Sequence, residues 1–100
     1  MKVIRRSTFD ADFVELLEYF RDHAGDAVAW RFVEAVEQLV KLIARHPKIG
    51  RERRELKPPG IRGFVIREFR NYILFYRVEG STLVLLRLRY GGMNLSALLN

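Results

Sequence analysis

Four arginines, Arg67, Arg77, Arg87 and Arg89, recur through the last third of the chain among Phe69, Ile73, Phe75 and Leu85, and they are its best candidates for chemistry. A guanidinium stays charged at any physiological pH and presents a planar fork of donors. It therefore holds carboxylates and phosphates firmly but makes a poor general base. Large apolar neighbours add area for a partner to bury. This combination suits gripping rather than bond-making. The two histidines, His23 and His46, fall at the expected C-terminal ends of helices, where the dipole favours an imidazolium, so capping explains them better than metal ligation or proton transfer. There is no cysteine, no His-x-x-x-His pair and no glycine-rich phosphate loop, and the carboxylates lie mostly on expected helix surfaces. No catalytic residue, metal ligand or cofactor is assigned.

The elements that must position those arginines are three apolar-rich runs, Phe64–Phe69, Tyr72–Val78 and Thr82–Tyr90, joined by short polar breaks. They predict a three-stranded antiparallel meander, with tight turns at Arg70-Asn71 and at Glu79-Gly80-Ser81. Alternation places Tyr72, Leu74, Tyr76 and Val78 on one face, with Val84, Leu86, Leu88 and Tyr90 of the last strand forming a similar set. These sets should pack on helices, leaving Arg67, Phe69, Ile73, Phe75, Arg77, Arg87 and Arg89 on an uncovered face that a partner can grip.

Upstream, Lys2–Arg6 reads as one short strand. Ser7-Thr8-Phe9-Asp10 offers a hydroxyl cap with an acidic residue behind it, and Phe9, Phe13, Leu16, Leu17 and Phe20 make a stripe at the helical period. Gly25 should close that helix in a left-handed conformation, and Asp26 should cap a second one carrying Val28, Phe32, Ala35, Val36, Leu39 and Ile43 up to the stop at Pro47. So short a turn requires an antiparallel helix hairpin. Trp30 lies nearly opposite the second stripe and is a candidate partner contact. Residues 48–63 form a basic connector with one extended piece around Arg53–Leu56, and residues 95–99 suggest a last helical turn. The expectation is one α+β domain spanning residues 1–100.

Charge is polarised along the chain. Residues 1–44 carry six Lys/Arg against eight Asp/Glu, whereas residues 45–100 carry twelve against four. A basic half favours an acidic protein, a nucleic acid or an anionic surface. The absence of cysteine, of a signal-peptide core and of a long apolar run predicts a cytoplasmic protein without a membrane partner.

The segments Ala44-Arg45-His46-Pro47-Lys48-Ile49-Gly50, Arg67, Ile73-Leu74-Phe75-Tyr76-Arg77-Val78 and Leu85–Asn94 resemble, in order and spacing, the ParE branch of the RelE/ParE toxin superfamily. The resemblance covers essentially the whole chain. It implies the toxin of a type II toxin–antitoxin module, bound by a cognate acidic ParD-like antitoxin in a hetero-oligomer and directed at DNA gyrase. The RelE branch instead cleaves messenger RNA on the ribosome, which here would fall to Arg67, Arg87, Arg89 and Tyr90. That alternative is disfavoured, because Ile73 and Val65 stand where that branch carries cations and Gly91-Gly92 replace a basic residue after the last strand. Direct nucleic-acid binding is not expected on this reading. The implied antitoxin- or target-binding residues are Trp30, Arg67, Phe69, Ile73, Phe75, Arg77, Arg87, Arg89, Tyr90 and Asn94.

Overall fold

The computed structural model describes residues 1–92. Strand β1 (Lys2–Arg5) leads into helix α1 (Ser7–Ala24) and helix α2 (Asp26–Arg45); β2 (Arg51–Glu52), β3 (Arg62–Ile66), β4 (Phe69–Glu79) and β5 (Thr82–Tyr90) follow. The five strands form one sheet in the order β1-β5-β4-β3-β2. β3, β4 and β5 are the expected antiparallel meander, while β1 lies parallel beside β5, pairing Lys2 with Thr82 through Arg5 with Leu85. The α+β fold expected from the sequence is the one observed.

Both helix stripes point inward. Phe9, Phe32, Val36, Leu39 and Ile43 form a core with Ile66, Leu74, Tyr76, Leu83, Leu85 and Leu88, and Phe13, Leu16 and Phe20 pack around it. Phe20 sits at the centre of an aromatic group, with ring centroids 5.0 Å from Phe32, 4.9 Å from Phe69 and 5.4 Å from Tyr72. Helix α2 ends at Arg45, one residue before His46 and ahead of Pro47. Tyr76 then fastens this exit to the sheet: its hydroxyl donates to the Pro47 carbonyl at 2.7 Å and accepts from the Gly50 N–H at 2.9 Å. A Cβ on residue 50 would lie 2.6 Å from that hydroxyl, which is why a glycine stands there. Burial pushes the Tyr76 phenol above its ordinary pKa, opposed by the Gly50 bond and by Arg62. Tyr76→Phe should cost about 1–3 kcal/mol in chemical denaturation, since it strands the Gly50 N–H away from water. A loss too small to measure would mean that water replaces the hydroxyl there.

Several local expectations fail for identifiable reasons. Ser7 and Thr8 lie inside α1, the cap position is Arg6, and no side chain caps it; the Thr8 hydroxyl donates instead to the Leu86 carbonyl at 2.9 Å. Gly25 has the positive φ, 92°, that its lack of a side chain allows, but its ψ of 170° is extended rather than left-handed helical. Asp26 is the first residue of α2 and makes no cap bond. The β3–β4 turn is Arg67-Glu68, with Glu68 at φ 70°, and Arg70-Asn71 belong to β4. The extended piece of the connector is Arg51–Glu52, while Arg53–Leu56 turns, closed by a Leu56 N–H to Arg53 carbonyl bond.

The largest correction concerns the sheet face turned away from the helices. It is covered. The connector folds back over it and buries Leu56 and Ile61 against Phe75, Val84 and Leu86, with Ile73 alongside. Strict alternation fails in β5 because the register shifts between Phe75 and Tyr76: Phe75 pairs with Arg87, yet Tyr76 pairs with Leu85, so Leu86 is an extra residue. Such a bulge inverts the phase of the strand. Leu83, Leu85 and Leu88 consequently meet the helices, whereas Val84 and Leu86 meet the connector.

Candidate functional site

Strand β1 accompanies β5 only as far as Leu85, which leaves the next stretch of that edge without a backbone partner. The first turns of α1 take over. The Arg6 N–H donates to the Leu85 carbonyl at 3.0 Å, Thr8 donates to the Leu86 carbonyl, and the Asp12 carboxylate accepts from the Leu88 N–H at 3.0 Å. Thr8 and Asp12 are one helical turn apart and so lie on the same face of α1. Their side chains substitute for the missing strand.

Asp12 is the only buried charged residue among those described, at 4% exposure, and a carboxylate so placed requires cations. Arg87 supplies a two-pronged contact, Nε to Oδ2 at 2.7 Å and Nη2 to Oδ1 at 3.1 Å, and Arg89 Nη1 reaches Oδ1 at 3.1 Å. The bond to Asp12 holds the Arg87 guanidinium above its usual pKa, against the opposing effect of burial. The sequence suggested Arg87 and Arg89 as surface cations, and the structure commits both to a structural clamp. Replacing them with Glu would therefore strike at folding.

The remaining predicted site residues are dispersed. Trp30 stands out from α2 at 66% exposure. Arg67 is exposed in the β3–β4 turn. Phe69 packs toward the helices against Phe20 and Phe32 rather than facing outward. Phe75 is fully buried, with the Arg53 guanidinium 5.5 Å above its ring, and Ile73 is partly buried in the same cluster. Arg77 bonds Glu79 at 3.3 Å. Tyr90 is about half exposed, its ring edge-on to Tyr72 at 5.9 Å. Asn94 and the expected final helical turn lie outside the described residues. The continuous arginine-bearing surface anticipated for the sheet is thus absent among the described residues; of the predicted contact residues, Trp30 on α2, Arg67 in the β3–β4 turn and Tyr90 at the end of β5 are exposed.

Neither histidine belongs to a metal-binding group among the described residues. His23 Nδ1 lies 2.9 Å from the Tyr19 carbonyl, which can only accept, so that nitrogen carries the proton, and the ring stacks on Tyr19 at 4.3 Å. Among the described residues no three His, Cys, Asp or Glu side chains are grouped to hold a metal ion, and no helix is long and apolar enough to cross a membrane.

A strand, a helix hairpin and a small mixed sheet in this order form the α+β architecture of a ParE-like fold. The structure superposes on a protein of the chromosomal ParDE toxin–antitoxin system of P. aeruginosa with a TM-score of 0.75, at 20% identity over 90% of this chain and 95% of that one. It also superposes on a YoeB/ParE toxin from Agrobacterium tumefaciens with a TM-score of 0.60, at 23% identity over 90% of this chain and 98% of that one. In sequence it is 30% identical over 96 residues to Toxin ParE3 of Caulobacter vibrioides, covering 96% of this chain and 92% of that protein. Residues 3–95 match the family model for the ParE toxin of the type II toxin–antitoxin system parDE. The chain belongs to the ParE toxin family.

Proposed function

We propose that this protein is the toxin of a type II toxin–antitoxin module that inhibits DNA gyrase by direct binding, without catalysis, and that a cognate acidic ParD-like antitoxin neutralises it in a cytoplasmic hetero-oligomer. Membership of the ParE family over residues 3–95 supports the module and the antitoxin. The observation that carries the non-catalytic reading is the engagement of Arg87 and Arg89 by Asp12. An RNA-cleaving site needs preorganised cations aimed at a scissile phosphate, whereas these two guanidiniums are aimed at a buried carboxylate.

Trp30, Arg67 and Tyr90 are the predicted contact residues that remain accessible. An exposed tryptophan is the side-chain type that most often anchors an interface. The helices around it carry eight carboxylates against four Lys/Arg over residues 7–45, so an antitoxin docking there gains its hold from the apolar ring.

Purified protein should suppress gyrase supercoiling and raise the yield of cleaved-DNA complexes. Unchanged gyrase activity at large molar excess would remove the target assignment, and codon-positioned cuts in translated messages after expression would replace it with the ribonuclease reading. Trp30→Ala should leave the melting temperature unaltered while weakening capture of the antitoxin encoded by the adjoining reading frame by about tenfold or more. Equal affinity would move the antitoxin off this helix face.

A further inference from the structure

Beyond α2 the surface is cationic in a regular way. Arg45, Lys48, Arg51, Arg54 and Lys57 recur at every third position, and all five are exposed. Over residues 45–57 there are six Lys/Arg and only two carboxylates, Glu52 and Glu55. Each carboxylate is taken by a neighbour, Glu52 by Arg54 at 3.2 Å and Glu55 by Arg53 at 3.0 Å, so the ridge stays strongly positive. Arg45, Lys48 and Arg51 make no ion pair with a described residue.

The ridge borders a cleft of about 630 Å³ between the end of α2 and the β3–β4 pair, lined by Arg45, His46, Pro47, Lys48, Gly60, Arg62 and Val78. No carboxylate contributes to that lining. The cleft is also held in shape. Arg62 Nη1 donates to the Gly50 carbonyl at 2.8 Å and to the Lys48 carbonyl at 3.4 Å, while Tyr76 pins Pro47 and Gly50 from below. A backbone already fixed beneath the cationic side chains reduces the ordering cost of binding.

We propose that this ridge and cleft form a binding site for the phosphodiester backbone of duplex DNA. A repeating polyanion matches several exposed cations spaced along one stretch of chain, and its affinity comes chiefly from counterion release rather than from apolar contact. An acidic polypeptide needs apolar anchors as well, yet the only large apolar side chain exposed between residues 45 and 57 is Ile49. Of the ridge cations Arg45 and Lys48 line the cleft together with Arg62 of β3, while Arg51, Arg54 and Lys57 continue along the connector. The site is separate from the gyrase reading, and DNA binding is measured with gyrase absent.

The test is fluorescence anisotropy with a labelled random-sequence duplex, titrated with the full-length protein between about 50 and 200 mM NaCl. Arg45→Glu/Lys48→Glu should lower affinity by about tenfold or more and flatten the salt dependence by about two ions. A charge-matched control, Arg21→Glu/Arg70→Glu, should shift affinity far less, because those residues lie on α1 and at the start of β4, outside the ridge. Circular dichroism verifies that each variant is folded. The proposal is overturned by absence of duplex binding at the lowest salt, by equal losses in the two double variants, or by poly-glutamate binding more tightly than DNA, which would assign the ridge to an acidic polypeptide.

Discussion

Asp12→Ala should destabilise the fold by about 3–5 kcal/mol, the range for breaking a buried ion pair from one side. The substitution removes a shared acceptor from three groups at once: the guanidiniums of Arg87 and Arg89 and the N–H of Leu88. In a domain of this size each kcal/mol lowers the melting temperature by about 4–8 °C, so the variant should be largely unfolded at growth temperature if the parent is of ordinary stability. Asp12→Asn keeps the shape and one acceptor and should fall between the two. A double-mutant cycle between Asp12 and Arg87 isolates the pair and should give a coupling of about 1–3 kcal/mol. A loss below about 1 kcal/mol for Asp12→Ala, the size of a surface pair, would mean that water and the arginines rearrange to fill the gap.

Phe75→Ala should cost about 3–5 kcal/mol, since it empties the centre of the second core beneath the connector. The ring touches the cluster formed by Leu56, Ile61, Val84 and Leu86 and lies under the Arg53 guanidinium, so its removal loosens a particular segment. Trypsin should then cut at Arg53 and Arg54 at protein concentrations and times that leave the parent intact. If Phe75→Ala kept its stability and instead lost a binding partner, the connector would have to leave the sheet in solution, and the face would be an interface after all.

How much of this was legible beforehand depends on the element. Phe9, Phe13, Phe32, Val36, Leu39 and Ile43 announce two helices and their inward faces, because an apolar period of 3.6 admits little else. The strands announce themselves in number, and the resemblance carried by Ala44–Gly50 and Ile73–Val78 reached the correct family. What failed was parity. One surplus residue at Leu86 inverts β5, and nothing in Thr-Leu-Val-Leu-Leu-Arg-Leu-Arg-Tyr marks the spot.

Asp12 could have been found. It lies three residues after Phe9 and four before Leu16, within the apolar stripe rather than opposite it, and a carboxylate there must be buried with a cation. Leu56 and Ile61 were a second overlooked signal, as the isolated large apolar residues near the middle of a basic loop. The β3–β4 turn was concealed for another reason: Glu68 takes a positive φ that the sequence would assign to glycine or asparagine.

Helix α1 finishes part of one margin of the sheet with side chains and β1 adds four residues to it, while on the opposite margin the two residues of β2 cover Arg62 and Gly63 of β3. Short borders flanked by Lys2, Arg5, Arg6 and Arg51 give a second molecule almost nothing to zip onto. Such borders disfavour edge-to-edge pairing of copies through their sheets.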